Sequence, residues 1–155
     1  KKQEGYKLAE VKGKASSAFA SNWENKIIEL GKNTFGWKSL KLNFGKKQVT
    51  MTVTETNGKS YELPFGYQQW ITTTFDSYPP YSITPIDRFK GLEGPYYASG
   101  SYAWISKEEL RLKAHYVNWV SALEITFHLK EGGEVELHVQ TNYIKKPYSI
   151  SGKIK

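Results

Sequence analysis

The chain has 155 residues, 39% hydrophobic and 24% charged, the balance of one globular domain with its own core. It has no cysteine, which excludes disulfides, thiolate catalysis and cysteine-based metal sites. The net charge of +7 sits at the ends: residues 1–14 hold five Lys and two Glu, and residues 145–155 four Lys and no acid. Residues 15–144 balance 13 basic against 13 acidic side chains, with only two Arg in the chain. That leaves no basic stripe for nucleic acid on the body.

Residues 1–14 read as a basic N-terminal segment linking from an upstream domain, because Lys1-Lys2-Gln3-Glu4 looks like a cut inside a longer polypeptide. Residues 15–155 read as a single β domain. The N-terminus lacks a signal-peptide core, and no stretch approaches the roughly 20 apolar residues of a membrane helix. Ala15, Ala18, Phe19 and Trp23 have helical spacing, which predicts one short N-terminal helix that plugs or caps one end of a sheet.

From residue 37 onward the pattern has period two. Leu40, Leu42 and Phe44 alternate with polar residues, as do Val49, Met51 and Val53, then Tyr61, Leu63 and Phe65. Leu110, Leu112, Ala114 and Tyr116 follow, then Leu123, Ile125, Phe127 and Leu129, then Val135, Leu137 and Val139. One apolar and one polar face on each predicts an all-β antiparallel meander of about eight strands. Barrel and sandwich share this alternation, and closure depends on whether the first and last strands pair.

Matching apolar faces sets the hairpin registers. Phe44 pairs with Val49 around Gly45-Lys46-Lys47-Gln48. Val53 pairs with Tyr61 around Thr56-Asn57-Gly58, and Leu129 with Val135 around Glu131-Gly132-Gly133. The two three-residue loops end on Gly, which can take the left-handed conformation their turns need. Tyr102 and Trp104 pair with Leu112 and Leu110, which puts both in the core. Residues 76–95 hold four of the six prolines and read as a long surface loop.

No set of catalytic residues emerges. There is no Gly-x-Ser-x-Gly elbow, no Ser-x-x-Lys pair, and no phosphate-cradling glycine loop before a helix. Tyr116-Val117-Asn118 matches a Tyr-x-Asn tripeptide of serine β-lactamases, but Tyr116 belongs to an apolar strand face. His128 faces Glu136 and His138 faces Thr126 on a polar face, and His115 lies on another strand, so no third metal ligand converges. Neither metal nor cofactor is expected.

The aromatic share is high, with five Trp, eleven Tyr and seven Phe. Trp70, Tyr78, Tyr81, Tyr96, Tyr97 and Trp119 lie in or beside the proline-rich loop and neighbouring strands. They are the candidate ligand-binding or domain-interface residues.

Residues Gly31 to Lys155 carry a family resemblance. Asn33-Thr34-Phe35-Gly36-Trp37-Lys38-Ser39-Leu40-Lys41-Leu42-Asn43-Phe44 resembles the opening strand of the C-terminal β domain of bacterial serine hydrolases, in the class C β-lactamase and penicillin-binding-protein superfamily. Val49–Thr54 is similar to its second strand, and Ala98-Ser99-Gly100-Ser101-Tyr102-Ala103-Trp104 to its small-residue strand ending in Trp. Leu110–Val120 with Leu123-Glu124-Ile125-Thr126-Phe127 resembles its next hairpin, without the acidic residue and Pro many relatives carry near Asn118. The resemblance implies a lipocalin-like barrel or sandwich that serves as a non-catalytic accessory domain after a separate catalytic domain, in an extracytoplasmic bacterial protein. The alternative is a stand-alone module binding a carbohydrate, a cell-wall fragment or a small apolar ligand.

Overall fold

The computed structural model describes residues 9–75, 96–116, 121–141 and 145–155, with Phe75, Tyr96, Tyr116 and Ser121 described by backbone alone. Ten strands follow in chain order: β1 (Ile27–Leu30), β2 (Trp37–Gly45), β3 (Gln48–Glu55), β4 (Ser60–Tyr67) and β5 (Ile71–Phe75). Then come β6 (Tyr96–Trp104), β7 (Glu109–Tyr116), β8 (Ser121–Leu129), β9 (Glu134–Thr141) and β10 (Tyr148–Ile154). They form one sheet in the order β4-β3-β2-β1-β10-β9-β8-β7-β6-β5, with β4 also paired to β6.

The sheet is a closed barrel. The first and last strands pair antiparallel, Ile28 opposite Ile154. Nine strands complete the circuit and β5 lies outside it, so the expected count of about eight is one short for the barrel and two short for the sheet. A meander of nine strands alternates direction around the ring, so one neighbouring pair must run parallel. That seam is β4–β6, where Gly66 faces Ser101 and Tyr67 faces Tyr102. The free edge of β6 is thus shared: β5 takes Tyr96–Gly100, β4 takes the next two residues, and Lys14 bridges Trp104.

The expected registers are those observed. Phe44 faces Val49, Val53 faces Tyr61, Leu129 faces Val135, and Tyr102 and Trp104 face Leu112 and Leu110. Pairing in the first hairpin runs one step further, Gly45 opposite Gln48, so the turn is Lys46-Lys47 rather than four residues. Lys47 takes the left-handed conformation there (φ 83°), as Gly58 (φ 88°) and Gly133 (φ 79°) do in the other two hairpins.

Inward-facing side chains fill the barrel. Leu42, Met51, Val53, Tyr102, Leu110, Ile125, Phe127, Leu137 and Val139 are all fully buried, the packed interior expected of small barrels. Burial pushes the Tyr102 phenol above its ordinary pKa, and the neighbouring Tyr67 adds to the shift. The phenol donates to the Ala15 carbonyl at 2.9 Å.

One end is plugged. The expected helix over Ala15–Trp23 is shorter and tighter, a 3₁₀ turn over Ala18–Asn22. A stretch this brief makes few hydrogen bonds of its own, and packing holds it: Phe19 and Trp23 are buried in the core cluster. Ser17 caps it, accepting from Phe19 N–H at 3.2 Å and donating to the Lys107 carbonyl at 2.6 Å. Upstream, Val11 and Lys14 lie against β6 as a strap: Val11 N–H donates to Ser101 Oγ at 3.2 Å, and Lys14 exchanges two backbone bonds with Trp104 at 2.9 and 2.8 Å.

Candidate functional site

The end opposite the plug is where β2, β4, β6, β8 and β10 begin and β1, β3, β5, β7 and β9 finish. Three aromatic rings meet there. Phe35 stacks on Trp37 with centroids 4.7 Å apart, and Tyr148 meets Phe35 edge-on at 5.4 Å. Trp37 is buried, whereas Tyr148 is 40% exposed, so the cluster runs from core to solvent.

Asn33 sets this platform. Its Nδ2 donates to the carbonyls of Gly31 at 2.9 Å and Trp37 at 2.8 Å. Its Oδ1 accepts from the N–H groups of Phe35 and Trp37, each at 3.1 Å. One half-buried amide thus ties both ends of a seven-residue turn, the Asx chemistry that favours Asn at such positions. Replacing Asn33 with alanine should cost about 2 kcal/mol, from four bonds each worth roughly 0.5–1.5 kcal/mol. Urea unfolding checks this, and Phe35–Trp37 stacking should loosen as near-ultraviolet dichroism.

Of the six aromatic candidates, Tyr78, Tyr81 and Trp119 lie outside the described residues, and Tyr96 is described only by its pairing with Phe75. Tyr97 faces outward opposite Thr74 and is 43% exposed. Trp70 is half-buried on the outer wall with its ring edge-on to His115 at 5.3 Å. Phe35, Trp37 and Tyr148 were not among the candidates as a site. The signal for them was Asn33 two residues before Phe35 and a Gly before Trp37, which marks a built turn rather than the start of a strand.

The histidines divide into two settings. His128 is opposite Glu136 and His138 opposite Thr126, as expected. The polar contacts fall differently: His138 Nε2 donates to Glu136 Oε1 on its own strand at 3.2 Å, and His128 Nδ1 lies 3.8 Å from Glu109 on β7. That hydrogen bond leads the effects that hold the Glu136 carboxyl below its usual range. The two rings lie 4.6 Å apart. Among the described residues, no three His, Asp or Glu side chains are placed to hold a metal ion.

His115 faces Ser99 and Ala122 across the outer wall, where Ser99 and Thr72 share a hydroxyl bond of 2.7 Å. Its Nε2 is buried without a hydrogen-bond partner. Burial, and then Lys113, push its pKa below 6.5. The unfolded chain therefore takes this proton first as pH falls, so stability should decline from about pH 7 toward the lowered folded-state value and then level off. His115→Gln should flatten that part of the profile, measured by urea unfolding at closely spaced pH values.

No protein-family model matches the chain, and no curated protein sequence matches it. Among the described residues, no helix is long and apolar enough to cross a membrane.

Proposed function

We propose that this chain is a non-catalytic barrel module that works through the end opposite its plug. The observation that carries this is the asymmetry of the ends. One end is stoppered by Phe19 and Trp23 from the same chain. The other presents Phe35 on a turn tied by Asn33, with Tyr148 of β10 packed edge-on against it, and preorganised aromatics suit docking because little order is lost on contact.

In its specific form the module is the accessory C-terminal domain of a β-lactamase-like serine hydrolase, packing on or extending the catalytic domain. The resemblance of residues 33–44, 49–54, 98–104, 110–120 and 123–127 supports this form, and so does the lack of a Ser-x-x-Lys pair in the chain. The reading frame upstream of Lys1 tests it: a Ser-x-x-Lys domain is expected there. A stop codon followed by a signal peptide would overturn it.

A second reading rests on the exposure of Tyr97 and Tyr148, which suits a stacking ligand such as a glycan or cell-wall fragment. A lipocalin-like mode, with an apolar ligand inside the barrel, is less favoured because buried side chains fill the interior. Tryptophan fluorescence titration with cell-wall disaccharide-peptides and fatty acids separates these. A saturable shift with the former, reduced by Tyr148→Ala, supports the stacking site. No shift with any ligand leaves the accessory form alone.

A further inference from the structure

A second feature lies at the plugged end. A groove of about 350 Å³ runs between the strap and the turn joining β6 to β7, lined among others by Lys14, Ser16, Trp104, Ser106 and Lys107. That is within the lower range of small-ligand sites, about 300–1,000 Å³. No Asp or Glu lines it, and neither Lys14 nor Lys107 makes an ion pair among the described residues.

Both lysines are anchored through the backbone. Lys14 is pinned by its two bonds to Trp104. The Lys107 carbonyl is held by Ser17 Oγ at 2.6 Å, and its ammonium sits 6.0 Å over the Phe19 ring. The Ser17 hydroxyl is fully engaged, donating to Lys107 and accepting from Phe19. Ser106 Oγ accepts from Glu108 N–H at 3.4 Å, which leaves its own proton to donate. Trp104 is 2% exposed, and its ring packs beside Phe44 with centroids 5.8 Å apart.

We propose that this groove binds a phosphate or sulfate group, alone or as the anionic end of a small molecule. The lining residues come from two separate chain segments and carry ammonium and hydroxyl groups, donor types that suit a tetrahedral oxyanion. A planar carboxylate is better matched by the guanidinium fork of Arg, and the groove has none.

Titration of the full chain, observed by ¹⁵N–¹H correlation at constant ionic strength, tests this with inorganic phosphate, sulfate, glycerol 3-phosphate and acetate in separate arms. Saturable shifts at Lys14, Ser16, Ser106 and Lys107 are expected with phosphate or sulfate. Tighter binding of glycerol 3-phosphate would identify the group as part of a larger ligand, and equal binding as the free anion. Lys14→Gln with Lys107→Gln should weaken binding about tenfold or more, since each charge-assisted contact is among the stronger kind. The backbone bonds of both positions survive these changes, and spectral dispersion verifies the fold. Lys46→Gln with Lys47→Gln, in the β2–β3 turn, should leave binding unchanged. Non-saturating shifts, equal saturation by acetate, or unaltered binding in the Lys14/Lys107 variant would overturn the proposal.

Discussion

Replacing Gly100 with valine should destabilise the protein by about 3 kcal/mol, the upper part of the usual overpacking range. A Cβ at position 100 would stand 2.3 Å from the Pro64 carbonyl oxygen and 2.8 Å from Phe65 Cδ1. The obstacle is backbone on β4, so no rotamer change relieves it. Position 100 also adjoins the narrowest part of the ring, where β4 meets β6 through only two residue pairs. Pro64 lacks an N–H, and a proline is tolerated in β4 because little of that strand's second edge is paired. For a chain of this size the loss corresponds to a melting temperature lower by about 6–12 °C. Gly45→Ala is the control, because its Cβ would meet only ordinary contacts, the nearest at 3.5 Å, and it should stay within about 0.5 kcal/mol. Equilibrium unfolding in guanidinium measures both. Equal effects for the two substitutions would mean that the seam does not close the barrel.

Trp23→Ala should cost about 3–5 kcal/mol, the usual loss for a buried Trp. Trp23 is 1% exposed at the C-terminus of the 3₁₀ turn, and the turn has too few bonds to hold itself in place. Its N–H donates to the Ala20 carbonyl at 3.0 Å, and its own carbonyl accepts from Lys26 at 3.2 Å. These bonds persist in the variant, so the loss reports packing. Trp23→Phe should recover much of it. A loss below about 1 kcal/mol would show the plug to be an appendage rather than part of the cooperative core.

How much of this was readable from the sequence follows from the physics of each element. Strand faces and registers were, because one buried face makes a one-residue slip costly at every position at once. Leu110 against Trp104 and Leu129 against Val135 are such cases. Closure was not, since alternation reports which face is buried and not which strands are neighbours at the ends. The β1–β10 pairing and the parallel seam are properties of the ring. The N-terminal helix was overestimated because apolar spacing over nine residues cannot distinguish a 3₁₀ turn held by packing from an α-helix held by its own bonds. The aromatic platform was missed for a related reason. Asn33 was read as the lead-in to a strand, while its four hydrogen bonds depend on a turn geometry that periodicity does not encode.

The proposed function rests on a barrel whose contribution is recognition and not chemistry. The most direct measurement is turnover of nitrocefin and p-nitrophenyl acetate by the purified chain. Rates indistinguishable from buffer are expected for both. Saturable hydrolysis that disappears on unfolding would contradict the account.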